Sequence, residues 1–242
     1  MRGFVETKRV WAGFFSVVVG MLVWNAPEVW AAVIKGSVSF EGQAPDRKPL
    51  SFGAEKQCAQ LHGDKMPLSE DLIVNANNTV KEVLVYVKEG VSGEFKAPEQ
   101  PVLVDQVGCV FVPHVAVAMV GQPVILQNND PVLHNVRAQS KMQQSFNVAQ
   151  PTKGMKTTKT LKKQEIGMLL RCDVHFWMTS ILHVLAHPYF SVTGDTGTFE
   201  IKGLPAGTYT VEAWHGTLGA VQQTVTVTAD ETKDLGFALK KS

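Results

Sequence analysis

Apolar and polar positions alternate along this chain in short runs instead of recurring every three or four residues. The runs Ile34–Phe40, Val80–Val87, Val115–Val120, Pro123–Gln127, Gly167–Cys172, Ile181–Ala186, Gly197–Ile201, Thr208–Trp214 and Gln222–Thr228 are rich in Val, Ile, Phe and Tyr. Such side chains suit a pleated, half-buried surface, so each run predicts a strand. Between them stand turn-forming clusters: Gly42-Gln43, Asn77-Asn78, Asn128-Asn129-Asp130, Asp195-Thr196-Gly197 and Pro205-Ala206-Gly207. Helical periodicity is confined to a short turn predicted near Ala54–Leu61. Many short strands at regular spacing predict an all-β fold of the sandwich or barrel kind.

The first thirty-odd residues follow a different rule. Arg2, Lys8 and Arg9 precede an uncharged apolar run, Val10–Trp24, and Val29-Trp30-Ala31 then offers small residues at a cleavage position. This is the layout of a secretory signal peptide spanning 1–31, with cleavage after Ala31 and a periplasmic or secreted product. A retained anchor is the rival reading, but a run of about 15 residues is short for a span that needs roughly 20. The net charge of +1 leaves the mature chain near neutral, without the basic excess of a nucleic-acid binder. No later segment is long and apolar enough to predict a membrane span.

In an oxidising compartment three cysteines imply one disulfide and one thiol with another occupation. Cys172 has metal-ligating neighbours, so the disulfide falls by elimination to Cys58 and Cys109. Those neighbours lie in Cys172-Asp173-Val174-His175-Phe176-Trp177-Met178, where thiol, imidazole and thioether recur at three-residue spacing. Soft sulfur combined with imidazole suits copper that must be held in both oxidation states. A trigonal plane of two histidines and a cysteine needs one more imidazole. Upstream, a strand ending at Asn128 leads through a polar turn to His134.

With both elements in view, the stretch from about Gly121 to Ala186 resembles a cupredoxin, most closely the amicyanin and pseudoazurin-type proteins with their type 1 (blue) copper. His134-Asn135-Val136 resembles the first ligand element, and Cys172, His175 and Met178 match the short Cys-x-x-His-x-x-Met loop, about 38 residues downstream. The resemblance implies a Greek-key β-sandwich holding one copper through His134, Cys172, His175 and the axial Met178. It also implies that Asn135 ties the two ligand loops together by hydrogen bonding. One departure is visible. Amicyanin-like loops carry proline soon after the second histidine, whereas this chain has Phe176-Trp177.

The flanking segments Lys35–Gly42, Val83–Val87, Val192–Ile201 and Leu204–Tyr209 resemble a carboxypeptidase-regulatory-like (transthyretin-like) β-sandwich. That resemblance implies a discontinuous second sandwich formed by 33–94 and 188–238, with the cupredoxin domain, 95–187, inserted in it; a plain tandem order is the alternative. Of the remaining histidines, His114 reads as a structural residue before an extra ligand, and His187 as structural at the junction. His62, His183 and His215 carry no assigned role. Lys153, Lys156, Lys159, Lys162 and Lys163 read as a solvated strand face before a steering patch for an acidic partner.

No acid–base pair, nucleophile triad or phosphate loop stands out, so the expectation is a carrier and not an enzyme. Electron transfer to a redox partner such as a c-type cytochrome is the leading expectation, with Phe176 and Trp177 as contacts beside an exposed edge of His175. Two other readings use the same residues. One is a periplasmic copper-binding or delivery protein. The other is a structural sandwich whose site takes zinc or is vestigial.

Overall fold

The computed structural model describes residues 31–241 together with residues 1 and 3; the expected signal peptide, apart from Met1, Gly3 and Ala31, lies outside the described residues. Along the chain, β1 (Ala32–Glu41) and a short helix α1 (Lys56–Gln60) precede β2 (Leu84–Glu89). A block of nine strands follows: β3 (Val102–Gln106), β4 (Phe111–Val112), β5 (Val115–Met119), β6 (Pro123–Asn128), β7 (His134–Gln139), β8 (Phe146–Gln150), β9 (Lys156–Thr160), β10 (Glu165–Arg171) and β11 (Thr179–Leu185). The chain closes with β12 (Phe190–Val192), β13 (Thr198–Leu204), β14 (Gly207–His215), β15 (Gly219–Val227), β16 (Thr232–Asp234) and β17 (Phe237–Lys240).

These strands form four sheets around two main cores. The order β13-β1-β16, with β17 also paired to β1, faces β12-β2-β14-β15. Their inner faces meet in a core that includes Ile34, Phe40, Val85, Val87, Ile201, Val211 and Leu239. Alternation along β13, buried at Phe199, Ile201 and Leu204 and exposed between Phe199 and Ile201, is the period of two expected for a sheet with one wet face. β1 is antiparallel to β13 and parallel to β16 and β17, so the first and last strands of the described residues are stitched into one sheet.

Strands β3–β11 make the other pair of sheets, β5-β11-β10-β7-β8 and β4-β3-β6-β9. Two non-local parallel pairings, β3 with β6 and β5 with β11, join strands far apart in sequence within this sandwich. Its core gathers Val104, Leu126, Val136, Met168, Leu170, Leu182 and Val184. Each fully buried side chain of this size contributes about 1.5–3 kcal/mol. Phe52 and Cys58, within the 33–94 segment, pack into this second core. The excursion between β1 and β2 therefore reaches across to cover the sandwich that carries the site.

The two sandwiches meet through Leu84, Tyr86 and Leu185, with Val117, Ile166 and Phe190 packed beside them. Trp214 of β14 crosses this boundary. Its ring meets His183 edge-on at 4.9 Å, and it lies so close to Gly167 that an added Cβ there would stand 2.8 Å from it. His187, expected to be structural, is buried and bonds the Val87 carbonyl at 2.8 Å. The expected lysine-rich strand face is also present: β9 pairs with β6 and keeps Lys156 exposed, while Lys159 lies over the Phe146 ring at 4.9 Å.

Candidate metal centre

Strand pairing brings the two candidate ligand elements to one end of the β3–β11 sandwich. β7 is antiparallel to β10, with Arg137 opposite Arg171. The start of β7, carrying His134 and Asn135, therefore lies beside the end of β10, from which the chain enters the Cys172–Met178 loop. That loop closes on itself: the Met178 N–H donates to the His175 carbonyl at 2.9 Å, and the Cys172 N–H donates to the Met178 carbonyl at 3.2 Å.

His134, Cys172 and His175 converge, each offering one ligand atom within 4.8 Å of the others. The Nδ1 atoms of His134 and His175 face each other at 2.9 Å. The Cys172 sulfur stands 3.8 Å from His175 Nδ1. Met178, 1% exposed, belongs to the same buried core as Cys172. A second convergent group, Cys109, Asp130 and His134, is not an independent ligand set, because the Cys109 sulfur is bonded to Cys58. That bond is the expected disulfide, and Cys172 is the free cysteine, buried.

Asn135 hydrogen-bonds into the Cys172–Met178 loop from the start of β7. Its Oδ1 accepts from the Asp173 N–H at 2.7 Å and lies 3.3 Å from the Cys172 sulfur. Its own N–H points at that sulfur from 3.5 Å, and Nδ2 donates to Asn147 and Asp173. Donors aimed at a sulfur favour its anionic form. Burial opposes the Cys172 thiolate, but hydrogen bonds from His134 and the Asn135 backbone outweigh it and hold the thiol below its usual range.

His134 has a partner that the sequence did not single out. Its Nε2 lies 2.9 Å from Asp130 Oδ2. A carboxylate only accepts, so Nε2 carries a proton in either ring state; the neutral ring keeps its lone pair on Nδ1, and the protonated ring donates from both nitrogens. Burial works against the charged ring, yet hydrogen bonding to Asp130 and Cys172 raises the His134 pKa. Asp130 is lowered in turn, since bonds from His134, Cys109 and Gly108 overcome its own desolvation. His175 moves the other way, its pKa lowered by burial and by the neighbouring His134. Asp130 stands four residues before His134 inside a cluster that reads as turn punctuation. A carboxylate at that spacing from a candidate ligand was the signal present in the sequence.

The expected exposed edge of His175 is not found. The residue is 2% exposed, with the Trp177 ring 5.1 Å away and Phe52 packed against Trp177 at 5.0 Å. Exposure passes instead to Phe176, at 78%. The bulky pair that replaces the expected proline therefore divides its roles: Trp177 covers the site and Phe176 faces solvent.

The donor set fits a soft-to-borderline d-block ion. Two imidazole Nδ1 atoms in contact and a thiol with lowered pKa gather nitrogen and sulfur donors in one buried pocket. The N₂S set with a thioether in the same loop is compatible with copper, and two imidazoles with a thiolate suit zinc as well.

A carboxypeptidase regulatory-like domain family model matches residues 185–240. No curated protein matches in sequence. Similar solved structures include a copper-containing nitrite reductase from Thermus scotoductus SA-01, 26% identical, TM-score 0.32, covering 41% of this chain and 26% of that one. A purple cupredoxin from Nitrosopumilus maritimus is 20% identical, TM-score 0.31, over 34% of this chain and 98% of that chain. A methionine-to-alanine mutant of amicyanin in its Cu(I) form is 16% identical, TM-score 0.31, over 41% of this chain and 97% of that one. This chain thus spans about a quarter of the nitrite reductase it matches. By the family match, residues 185–240 resemble a carboxypeptidase regulatory-like domain, and by their sheet order the described residues form two packed β-sandwiches, nearly all-β, with the candidate site in the one built from β3–β11.

Proposed function

We propose that the protein is a periplasmic carrier of single electrons that holds one copper ion through His134, Cys172, His175 and Met178. The observation that carries this reading is the convergence of two facing imidazole nitrogens and a buried cysteine at one end of the sandwich. Copper, when bound, supplies the Cu(I)/Cu(II) couple. The chain's own residues supply the rest. Asp130 and Asn135 orient His134 and the Cys172 sulfur, and Phe52, Trp177 and the apolar core exclude water. A rigid, dry ligand set suits both oxidation states and keeps the rearrangement on electron exchange small.

The exposed apolar side chains Phe176, Val174 and Leu133 flank the ligand positions. They are the proposed contact for a redox partner such as a c-type cytochrome, since transient electron-transfer interfaces are small. Among the described residues no helix is long and apolar enough to cross a membrane. The test is metal uptake by the purified mature protein: one copper per chain, with an intense visible sulfur-to-copper absorption that Cys172→Ser abolishes. Zinc as the native metal with no visible band would contradict the proposal. Rapid surrender of copper to a chelator, without electron exchange with a cytochrome, would move it to copper delivery.

A further inference from the structure

Cys109 adopts a φ of 56°, in the left-handed region that favours glycine. Three of its groups reach three different elements. Its sulfur is bonded to Cys58 of α1, across a sequence separation of 51. Its N–H donates to Asp130 Oδ2 at 2.7 Å, and its carbonyl accepts from Trp177 Nε1 at 2.9 Å. Asp130 lies in the turn that delivers His134, and Trp177 in the loop that delivers Cys172 and His175. Gly108 reinforces the arrangement. Its N–H donates to Asp130 Oδ1 at 2.6 Å, and its carbonyl bonds His62 Nε2 at 2.6 Å. His62 stacks on Phe52 at 5.4 Å, and Phe52 in turn packs on Trp177.

We infer that Cys109, held by its bond to Cys58, is a positioning residue for both ligand-bearing loops, acting through Asp130 on one and Trp177 on the other. The inference rests on the reading of His134, Cys172 and His175 as metal ligands. Two backbone N–H groups fix the Asp130 carboxylate, which is 3% exposed, independently of His134. The carboxylate in turn admits only the His134 tautomer with its proton on Nε2, which leaves Nδ1 free to ligate. Partners of this kind, which orient a ligand from behind, typically change metal affinity 10- to 100-fold. On the other loop, the Trp177 indole anchored to the Cys109 carbonyl keeps its ring against His175. The excursion between β1 and β2 thereby contributes to the site from a distance, because it supplies the half-cystine that holds the clasp.

Three variants test this in the metal-free protein, by ¹⁵N NMR of the His134 ring and by hydrogen exchange. Asp130→Asn offers an amide N–H toward the ring; the expected result is a shift of the His134 proton to Nδ1 and copper binding weakened about 10- to 100-fold. Cys58→Ala combined with Cys109→Gly keeps both peptide groups and a residue at ease with positive φ, and removes only the covalent hold. It is expected to give a mixture of His134 tautomers and faster exchange at the Trp177 indole. Trp177→Phe should leave the His134 tautomer unchanged while exchange in the Cys172–Met178 loop rises. Should the double variant fail to fold, the two single variants decide the matter. An unchanged tautomer in Asp130→Asn, together with unchanged exchange in Trp177→Phe, overturns the inference. Absence of copper uptake by the wild-type protein would sink the metal reading alone, because the tautomer and exchange results do not depend on it.

Discussion

Asn135→Ala removes the side chain that joins the two ligand loops, and its contacts set the size of the effect. Four contacts are lost. Two of them, to Asn147 and to the Asp173 carboxylate, involve exposed partners that water can satisfy, so they add little. The other two are costlier. The Asp173 N–H loses a 2.7 Å bond and the Cys172 sulfur loses its Oδ1 neighbour, at roughly 1 kcal/mol each, with a further ~0.5–1 kcal/mol for the space left at a buried position. The expected loss is about 2–3 kcal/mol in the metal-free protein, read as a lowered urea midpoint with unchanged slope. Because the loss falls on the link between loops, copper should also leave faster than from wild type. A destabilisation below about 0.5 kcal/mol with unaltered copper release would show Asn135 to be a bystander.

Three further outcomes follow from the packing and the buried ionisable groups. Gly167→Ala places a Cβ 2.8 Å from the Trp214 ring at a φ of 76°; strain plus crowding should cost on the order of 2–4 kcal/mol, measured by chemical denaturation. Glu82 is raised from 4.5 to about 7, by burial first and then by the charge on Glu70, and its Oε2 is buried without a partner. Its folded pKa exceeds its unfolded one, so its contribution is full below pH 4.5 and is lost as pH rises toward 7. Glu82→Gln should therefore gain up to roughly 3 kcal/mol over wild type above pH 7 and nothing near pH 4, in paired unfolding curves. Burial lowers His183 from 6.5 to about 3 and His215 from 6.5 to about 4. Both must stay neutral in the fold, so stability should fall as pH drops below 6.5, down to about 4 for His215 and about 3 for His183. Replacing His183 with glutamine should flatten that slope.

Much of the fold was legible because burial imposes a period of two. Runs such as Thr208–Trp214 and Ile181–Ala186 carried their own signal, and β14 and β11 formed where alternation predicted strands. β9 was legible only as a lysine-rich, solvated face and not through apolar alternation. Lys156-Thr157-Thr158-Lys159-Thr160 has no apolar face, and pairing with β6 makes it a strand. The three-residue rhythm of Cys172, His175 and Met178 is local and therefore readable, and the convergence of His134 with Cys172 and His175 follows from the β7–β10 pairing. The supports of the site were not readable in the same way. Asp130 looked like turn punctuation, and its role exists only because the Gly108–Cys109 peptides arrive from a distant loop. Burial of His175 likewise depends on Phe52, whose isolated apolar position gave no hint that it would back Trp177.

Whether copper sits on the Cys172 sulfur is read straight from the EPR spectrum of the copper-loaded, oxidised protein. One copper per chain is expected, with the small parallel hyperfine splitting of a copper–thiolate bond of high covalency, lost on Cys172→Ser. A large splitting like that of tetragonal copper with nitrogen and oxygen ligands, unaltered by that substitution, would mean that the metal binds elsewhere and that these four residues do not form a blue-copper centre.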